Sequence, residues 1–317
     1  MDLEELTLPY YLKVFSFTSI IFLFLFLFYI FSIFNKNLIF NTNPINIKKG
    51  ENIETIFSKN INNLSNLDIR FFKLYLKIIY LDKNSFIHYG DFYFNNNASF
   101  LDFIAIITKP SNVLNKITIV EGWSKKELDI ELSKNFKDYN SIEYSKIIAD
   151  TYFIQQNIEF NSFVNQLQNI KIDYFTKYKN NKLFNKFDQN EILILGSLLE
   201  KEGLDTIDKR MISSVIFNRL KKNMKLQIDA TVLFAITNGE YNLNRKLLFS
   251  DLKIDHPFNT YIYKGLPPQP ISYVGKKTLD ILFENYETDF LFYFYNKSLN
   301  KHIFSKTFKE HKQKLND

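Results

Sequence analysis

The chain has 317 residues, of which 46% are hydrophobic and 23% are charged, and its net charge at neutral pH is +6. This balance is typical of globular domains and excludes wholesale disorder and fibrous repeats, while the length suggests about two domains. The absence of cysteine excludes disulfides, thiolate zinc sites and cysteine nucleophiles, and the four scattered histidines predict no metal site.

The positive charge is carried almost wholly by dispersed lysines, since only four residues are arginine. Scattered lysines are typical of a solvated surface rather than of a nucleic-acid groove. We therefore predict no nucleic-acid partner. No cofactor is predicted either.

Residues 14–34 form an uncharged run, VFSFTSIIFLFLFLFYIFSIF. A helix of this length crosses a hydrocarbon core at 1.5 Å per residue. A cleaved signal peptide would have a shorter apolar stretch ending in small residues, whereas this one ends in Phe31, Ile33 and Phe34. The sequence therefore predicts a retained transmembrane helix after a flank of residues 1–13. Lysines on both sides leave its orientation open.

Two mixed segments follow a predicted polar tether at residues 35–43. The first, residues 44–112, alternates strand and helix patterns. Its predicted elements are a strand at Ile45–Ile47, helices at 51–57 and 67–81, a strand at 90–94 and a helix capped by Ser99. The second, residues 113–317, begins with a strand at 116–120, a helix opened by a Ser124–Glu127 capping box, and a polar helical stretch at 140–185.

The most informative helix begins at Asp188, which is spaced from Glu191 as in a capping box, and runs to Gly203. Apolar side chains cover nearly the whole helical wheel, so we expect this helix to be buried. Gly196 and Ser197 lie one turn before Glu200. They predict a niche without bulky side chains beside the Glu200 carboxylate.

Glu200 has two interpretations. Desolvation in such a niche favours a neutral carboxyl group, which a general acid at neutral pH requires. Alternatively, Glu200 pairs with a lysine or arginine and only anchors the helix end. Glu202 projects about 160° away on a helix of 3.6 residues per turn. The two acids are therefore not expected to form the close pair of a retaining glycosidase.

The next helix, predicted at 206–220, places Arg219 on its apolar face. A guanidinium there needs an acidic partner or an anionic ligand, unless it extends from the edge of the core into water. A strand is predicted at 226–229, followed by a short helix capped by Asp229. Residues 256–270 predict an ordered loop of the kind that lines many sites.

Four segments carry a more specific pattern: LLEKEG (Leu198–Gly203), FNRLKKNMKLQIDATV (Phe217–Val232), NTYIYKGLPPQPI (Asn259–Ile271) and HIFSKTFKEH (His302–His311). In this order they resemble the YceG-like family of bacterial endolytic murein transglycosylases. INIKKGENIETI resembles that family's LysM-like subdomain, and Ile117–Ser124 resembles its strand ending in E-G-W/Y. The resemblance implies an α+β fold with a transmembrane helix, a LysM-like subdomain at 44–112 and a catalytic domain at 113–317.

The resemblance also implies a function. The protein would span the bacterial inner membrane once, with its catalytic domain on the periplasmic, cell-wall side. It would cleave the MurNAc–GlcNAc β-1,4 bond within nascent peptidoglycan strands without water, leave 1,6-anhydro-MurNAc ends, and so terminate strand elongation. Glycan strands are the implied substrate, and peptidoglycan synthases are candidate partners.

The family's acid–base residue, taken as the first glutamate of its E-K-E motif, falls on Glu200. It would protonate the glycosidic oxygen and then deprotonate the muramic C6 hydroxyl. Substrate-binding candidates at matching positions are Glu202, Asn218, Arg219, Gln227, Asp229, Thr231, Asn259, Thr260 and Tyr261.

The sequence departs from the family pattern in three places. The family's D-P-T reads Asp229-Ala230-Thr231, residues 144–152 keep only the D-T-Y of a longer motif, and the usual H-N near the end reads His311-Lys312. The second departure puts substrate contacts from residues 143–150 in doubt. Two alternatives stay open: a lysozyme-type hydrolase, which needs a second carboxylate or a held water near Glu200, and a silent peptidoglycan-binding scaffold, which would not need the intact E-K-E helix.

Overall fold

The computed structural model describes residues 3–79, 87–155 and 158–316, with side chains from residue 13 onward. The chain divides into two compact units. Unit 1 comprises Met1–Asn115 with Ile154–Asn157, and unit 2 comprises Lys116–Phe153 with Ile158–Asp317. The described elements are helices and small two-stranded sheets, so the fold is α+β, as predicted.

Helix α1 (Leu3–Phe34) contains the segment Lys13–Phe34, which among the described helices is the one long and apolar enough to cross a membrane. Most of its apolar side chains are exposed. Its last turn differs: Ile33 is only 3% exposed, and Phe34 packs against Phe72 and Phe100. The end of α1 therefore belongs to the core of unit 1.

The rest of unit 1 is built around phenylalanine side chains. Phe72 and Phe100 stack with their ring centroids 3.5 Å apart, and Phe57 and Phe103 pack beside them. The elements are β1 (Ile45–Ile47), α2 (Ile53–Asn60), α3 (Asn66–Ile79), β2 (Gly90–Phe92) and α4 (Phe100–Ile107), with β1 antiparallel to β2. The predicted order is confirmed, and residues 80–81 of the second predicted helix lie outside the described residues.

Residues 35–43 were expected to form a polar tether, and that expectation is wrong. Leu38 is 1% exposed, and its backbone N–H donates to the Ala98 carbonyl at 2.9 Å. Phe40 stacks on Phe94 with centroids 4.6 Å apart. Because burying these two apolar side chains removes them from water, the segment packs into unit 1 and does not act as a free linker.

Unit 2 is organised around a buried helix. Its elements are β3 (Leu114–Thr118, which begins in unit 1), α5 (Lys125–Asn135), β4 (Thr151–Gln155, which ends in unit 1), α6 (Phe160–Lys177), α7 (Gln189–Glu202), α8 (Thr206–Lys221), α9 (Asp229–Thr237), α10 (Lys276–Glu284), β5 (Phe292–Asn296), β6 (Lys301–Ser305) and α11 (Phe308–Asn316). Helix α7 is buried from Ile192 to Leu199 and packs against α8, α9 and α10. The predicted capping boxes that open α5 and α7 are both present.

Three local predictions in unit 2 are wrong. The stretch 140–185 is not helical throughout, because it contains β4, whose side chains alternate in burial. No strand forms at 226–229, since Gln227 adopts a left-handed backbone conformation with φ 52°. Asp229 does not cap α9: the N-cap is Ile228, and it makes no side-chain capping bond.

Candidate active site

Glu200, near the end of α7, is enclosed by protein. Its side chain is 2% exposed, and one carboxylate oxygen is ion-paired with the ammonium of Lys209 on α8. The other oxygen accepts the backbone N–H of Gly275 at 3.0 Å, and Lys209 also donates to the Thr278 hydroxyl at 2.9 Å. This pair joins α7, α8 and the start of α10, which is the helix-anchoring alternative from the sequence.

The open niche expected beside Glu200 is filled. A Cβ added at Gly196 would lie 2.5 Å from Val274 Cγ1, so the glycine allows that side chain to approach the helix. The Ser197 hydroxyl accepts the Ile271 N–H at 3.1 Å. The two small residues therefore receive the backbone and side chains of the segment before α10, and the expectation of an open niche is wrong.

Glu202, two residues further along α7, has different surroundings. The hydroxyl of Tyr293 on β5 donates to Glu202 Oε2 at 3.0 Å. Burial raises the pKa of Glu202, and the nearby charge of Asp229 raises it further, while the Tyr293 hydrogen bond acts in the opposite direction. Its hydrogen-bond partner is thus a neutral hydroxyl, where Glu200 has an ammonium.

A second pair of polar side chains supports Tyr293. His302 on β6 lies with its Nδ1 2.8 Å from Asp208 Oδ2 on α8, and both side chains are largely buried. The His302 ring packs edge-on against Tyr293, with centroids 5.5 Å apart. Burial, followed by the Glu202 charge, raises the pKa of Tyr293 well above its usual range. The phenol is therefore a stable hydrogen-bond donor.

Asp229 and Tyr261 approach Glu202 from the start of α9 and from the loop that follows residue 256. The Tyr261 hydroxyl donates to Asp229 Oδ1 at 2.6 Å. Burial raises the pKa of Tyr261, and the charges of Asp229 and Glu202 add to that effect. These two predicted cleft residues therefore lie near Glu202, and their charge interactions are with Glu202 rather than with Glu200.

Thr231, Thr260 and Gln227 hold that loop against α9. The hydroxyls of Thr231 and Thr260 are 2.9 Å apart, and Thr260 Oγ1 also accepts the Ile228 N–H at 3.0 Å. The backbone N–H of Gln227 donates to the Thr260 carbonyl at 3.1 Å. These bonds hold the loop that carries Tyr261 against the start of α9, which carries Asp229.

Within the described residues Arg219 pairs with no acid, and it does not extend into water, so these two expectations for it are wrong, while an anionic ligand stays a prediction. The residue is 7% exposed, and its guanidinium donates to the Leu291 carbonyl at 2.7 Å and to the Leu226 carbonyl at 2.5 Å. Its guanidinium also lies over the Phe292 ring, 5.5 Å from the centroid. Burial lowers the pKa of Arg219. Backbone carbonyls thus satisfy this cation.

Two predicted cleft asparagines also bind backbone. Asn218 donates to the carbonyls of Thr288 and Phe290 at 2.7 and 2.9 Å. Asn259 donates to those of Leu252 and Ile254 at 3.0 and 2.8 Å. The side-chain N–H groups of both asparagines therefore bind the protein backbone around the site.

Three residues of the site, Lys209, Tyr293 and His302, were missed from the sequence. Tyr293 meets Glu202 across 91 positions of the chain, and His302 meets Asp208 across 94, so no local spacing links them. One usable signal was present: His302 opens the fourth of the family-like segments.

The sequence profile of the YceG-like family matches residues 45–317. The chain belongs to this family. In the crystal structure of a YceG-like protein from Listeria monocytogenes, the fold matches with a TM-score of 0.54 at 24% identity, over 85% of this chain and 97% of that one. That likeness supports the fold alone.

Two relatives of this YceG-like chain are named endolytic murein transglycosylase. The Bacillus subtilis protein is 41% identical over 138 residues, which are 44% of this chain and 37% of that protein. The Streptococcus pneumoniae (strain R6) protein is 30% identical over 152 residues, which are 45% of this chain and 26% of that protein. The matches thus span well under half of the length of either relative.

Proposed function

We propose that this YceG-like protein is an endolytic peptidoglycan transglycosylase, a lyase that cleaves the MurNAc–GlcNAc β-1,4 bond without water. The names of its relatives support the substrate and the reaction. The observation that carries the chemistry is the buried Glu202 carboxyl group, whose raised pKa favours the protonated form. A general acid working near neutral pH needs that form.

In the proposed reaction Glu202 donates its proton to the glycosidic oxygen as the bond from C1 to that oxygen breaks. It then takes the proton of the C6 hydroxyl of the same muramic residue, as O6 forms a bond to C1. The proton returns to Glu202, and the product is a 1,6-anhydro-MurNAc end. Tyr293, which donates to Glu202, steadies the carboxylate between the two steps, and the negative charge of Asp229, which acts on Glu202, would offset the positive charge that develops at C1.

The geometry favours Glu202 over Glu200 as the acid–base residue. Both oxygens of Glu200 are already engaged, one by Lys209 and one by Gly275. Because the Glu200 side chain is only 2% exposed, a substrate would have to displace these partners to reach its carboxylate. Glu200, the prediction from the sequence, stays the competing assignment.

Two variants of the full-length protein separate these assignments, assayed in detergent on uncrosslinked glycan strands. Glu202→Gln should lower the cleavage rate by roughly 10²–10⁴-fold, because general acid–base catalysis usually contributes that much. Glu200→Gln should chiefly lower stability, since it leaves the Lys209 ammonium without its buried partner. A folded but inactive Glu200→Gln protein, beside an active Glu202→Gln protein, would return the assignment to Glu200.

One observation favours a second candidate function. Asp229 lies close enough to Glu202 for its charge to raise the pKa of that group, and a lysozyme-type hydrolase needs such a second carboxylate. Product analysis in heavy-oxygen water decides between the two. The transglycosylase yields unlabelled anhydro ends lighter by one water, whereas the hydrolase yields labelled reducing ends. Glycan retained without cleavage would instead indicate a binding scaffold.

We also propose that α1 anchors the protein in the bacterial inner membrane with unit 2 on the cell-wall side, where cleavage would terminate strand elongation. The long, exposed and apolar surface of α1 supports this placement. The LysM-like character of residues 44–112, the catalytic domain at 113–317 and an association with peptidoglycan synthases stay predictions.

A further inference from the structure

Unit 2 contains a groove that the proposed chemistry does not use. Two cavities, of about 400 and 540 Å³, have five lining residues in common, so they are contiguous. Both volumes are in the range of ligand sites. The residues that line both are Lys126 and Ile130 of α5, Phe234 of α9, and Gly239 and Glu240 just after α9. None of the predicted cleft residues lines either cavity.

The groove combines an apolar surface with charges of both signs. Ile130 and Phe234 supply the apolar part, while Lys126 and Glu240 are exposed. Within the described chain, the Lys126 ammonium makes no hydrogen bond or ion pair, and the Glu240 carboxylate accepts one long bond, from Asn238 at 3.5 Å. Both charges are therefore available to a ligand.

The groove also lies next to the acid–base residue. Ala230 lines the smaller cavity, and its backbone N–H interacts with the Glu202 carboxylate. A sugar at Glu202 would thus have this groove beside it. We propose that the groove binds the stem peptide carried by the muramic acid residue of the substrate.

The charges in the groove favour a peptide over a sugar as its ligand. The sugars of a peptide-bearing glycan strand are uncharged, because the lactyl carboxyl group is used in the amide bond. The stem peptide carries carboxylates, an amine and the methyl groups of alanine. A site with an available ammonium, an available carboxylate and an apolar surface complements that peptide through pairs of opposite charges, whereas a neutral sugar offers these two charges hydrogen bonds only. The inference rests on the proposed function.

Binding of a muramyl tetrapeptide with two carboxylates and one free amine tests the inference. The tetrapeptide is titrated into the 317-residue protein in detergent micelles, and binding is followed by calorimetry. Charge reversal by Lys126→Glu or Glu240→Lys should weaken binding by roughly three- to tenfold each, the scale of exposed charge pairs turned repulsive. The control, Lys177→Glu, reverses an exposed lysine of α6 that lines neither cavity and should bind within twofold of the wild type.

Two results would overturn the inference. One is unchanged tetrapeptide affinity in both groove variants. The other is an equal loss of affinity for peptide-free chitotetraose, which would make the groove a sugar subsite. Cleavage assays test peptide binding by the groove separately from the proposed function. The groove variants should show a raised KM on peptide-bearing strands and normal kinetics on strands whose peptides an amidase has removed. If the wild type cleaves neither strand, the proposed function fails, while the binding result stands on its own.

Discussion

Tyr293 offers the most direct test of the site at the level of a single residue, because its hydroxyl donates to the Glu202 carboxylate. This hydrogen bond stabilises the charged form and so lowers the pKa of Glu202 against the raising effect of burial. Tyr293→Phe removes it, and the pKa of Glu202 should rise further. Since Glu202, as the proposed general acid, would be active when protonated, the alkaline limb of the pH–rate profile should move to higher pH.

The turnover number of Tyr293→Phe should also fall, by about tenfold, because the carboxylate loses the group that holds it in place. Tyr295→Phe is the matched control. Tyr295 lies two residues along the same strand, is 40% exposed, and its hydroxyl contacts Asn300. An alkaline limb that stays in place in Tyr293→Phe, or moves as much in Tyr295→Phe, would contradict the role of Tyr293.

Residue patterns in the sequence predicted some features of the site and missed others. The family-like motifs located Glu202, Asp229 and Tyr261, which the structure brings together. They did not show that Arg219 and Asn218 bind backbone carbonyls, because a buried polar side chain looks the same in sequence whether its partner is a ligand or the chain itself. That distinction depends on contacts across about seventy positions.

Between elements, the ion pair of Glu200 and Lys209 predicts a large loss of stability when it is broken. Lys209→Met removes the ammonium and leaves the Glu200 carboxylate, whose side chain is 2% exposed, with the Gly275 backbone N–H as its remaining hydrogen-bond partner among the described residues. Breaking a buried pair from one side costs about 3–5 kcal/mol. Chemical denaturation should show a loss of that size for Lys209→Met.

The double variant Glu200→Gln with Lys209→Met should recover part of that loss, since it leaves no charge unpaired. Losses that simply add in the double variant would show that the two side chains do not interact. Arg210→Met is a useful comparison, because Arg210 pairs with Glu284 at a more exposed position and should cost about 1 kcal/mol or less.

Elements whose ends are set locally were predictable. The capping boxes of α5 and α7 are read from residues three apart, and both formed as expected. The turn at Gln227 was not predictable, because its conformation accompanies hydrogen bonds to Thr260, more than thirty residues away. The packing of residues 35–43 was not predictable either. Their composition is polar, but Leu38 and Phe40 contact Ala98 and Phe94, which are distant in sequence and belong to the unit 1 core.

For the whole molecule, the end of α1 decides how much of the proposed membrane anchor can be removed without disturbing unit 1. Tyr29 donates to Asp68 at 3.0 Å, and Ile33 and Phe34 pack into unit 1. A chain that begins at residue 28 keeps these contacts, whereas one that begins at residue 36 loses them. The full-length chain should stay with membranes after alkaline washing, and both shortened chains should be soluble without detergent.

The two shortened chains should differ in stability. Fully burying an Ile or Phe side chain contributes about 1.5–3 kcal/mol, and Phe34 is only partly buried, so the chain from residue 36 should be less stable by about 2–4 kcal/mol. Urea unfolding measures this directly. Equal stabilities would show that the last turn of α1 is not part of the unit 1 core. Recovery of full-length protein in the alkaline wash would contradict the membrane anchor itself, and would do so independently of the stability comparison.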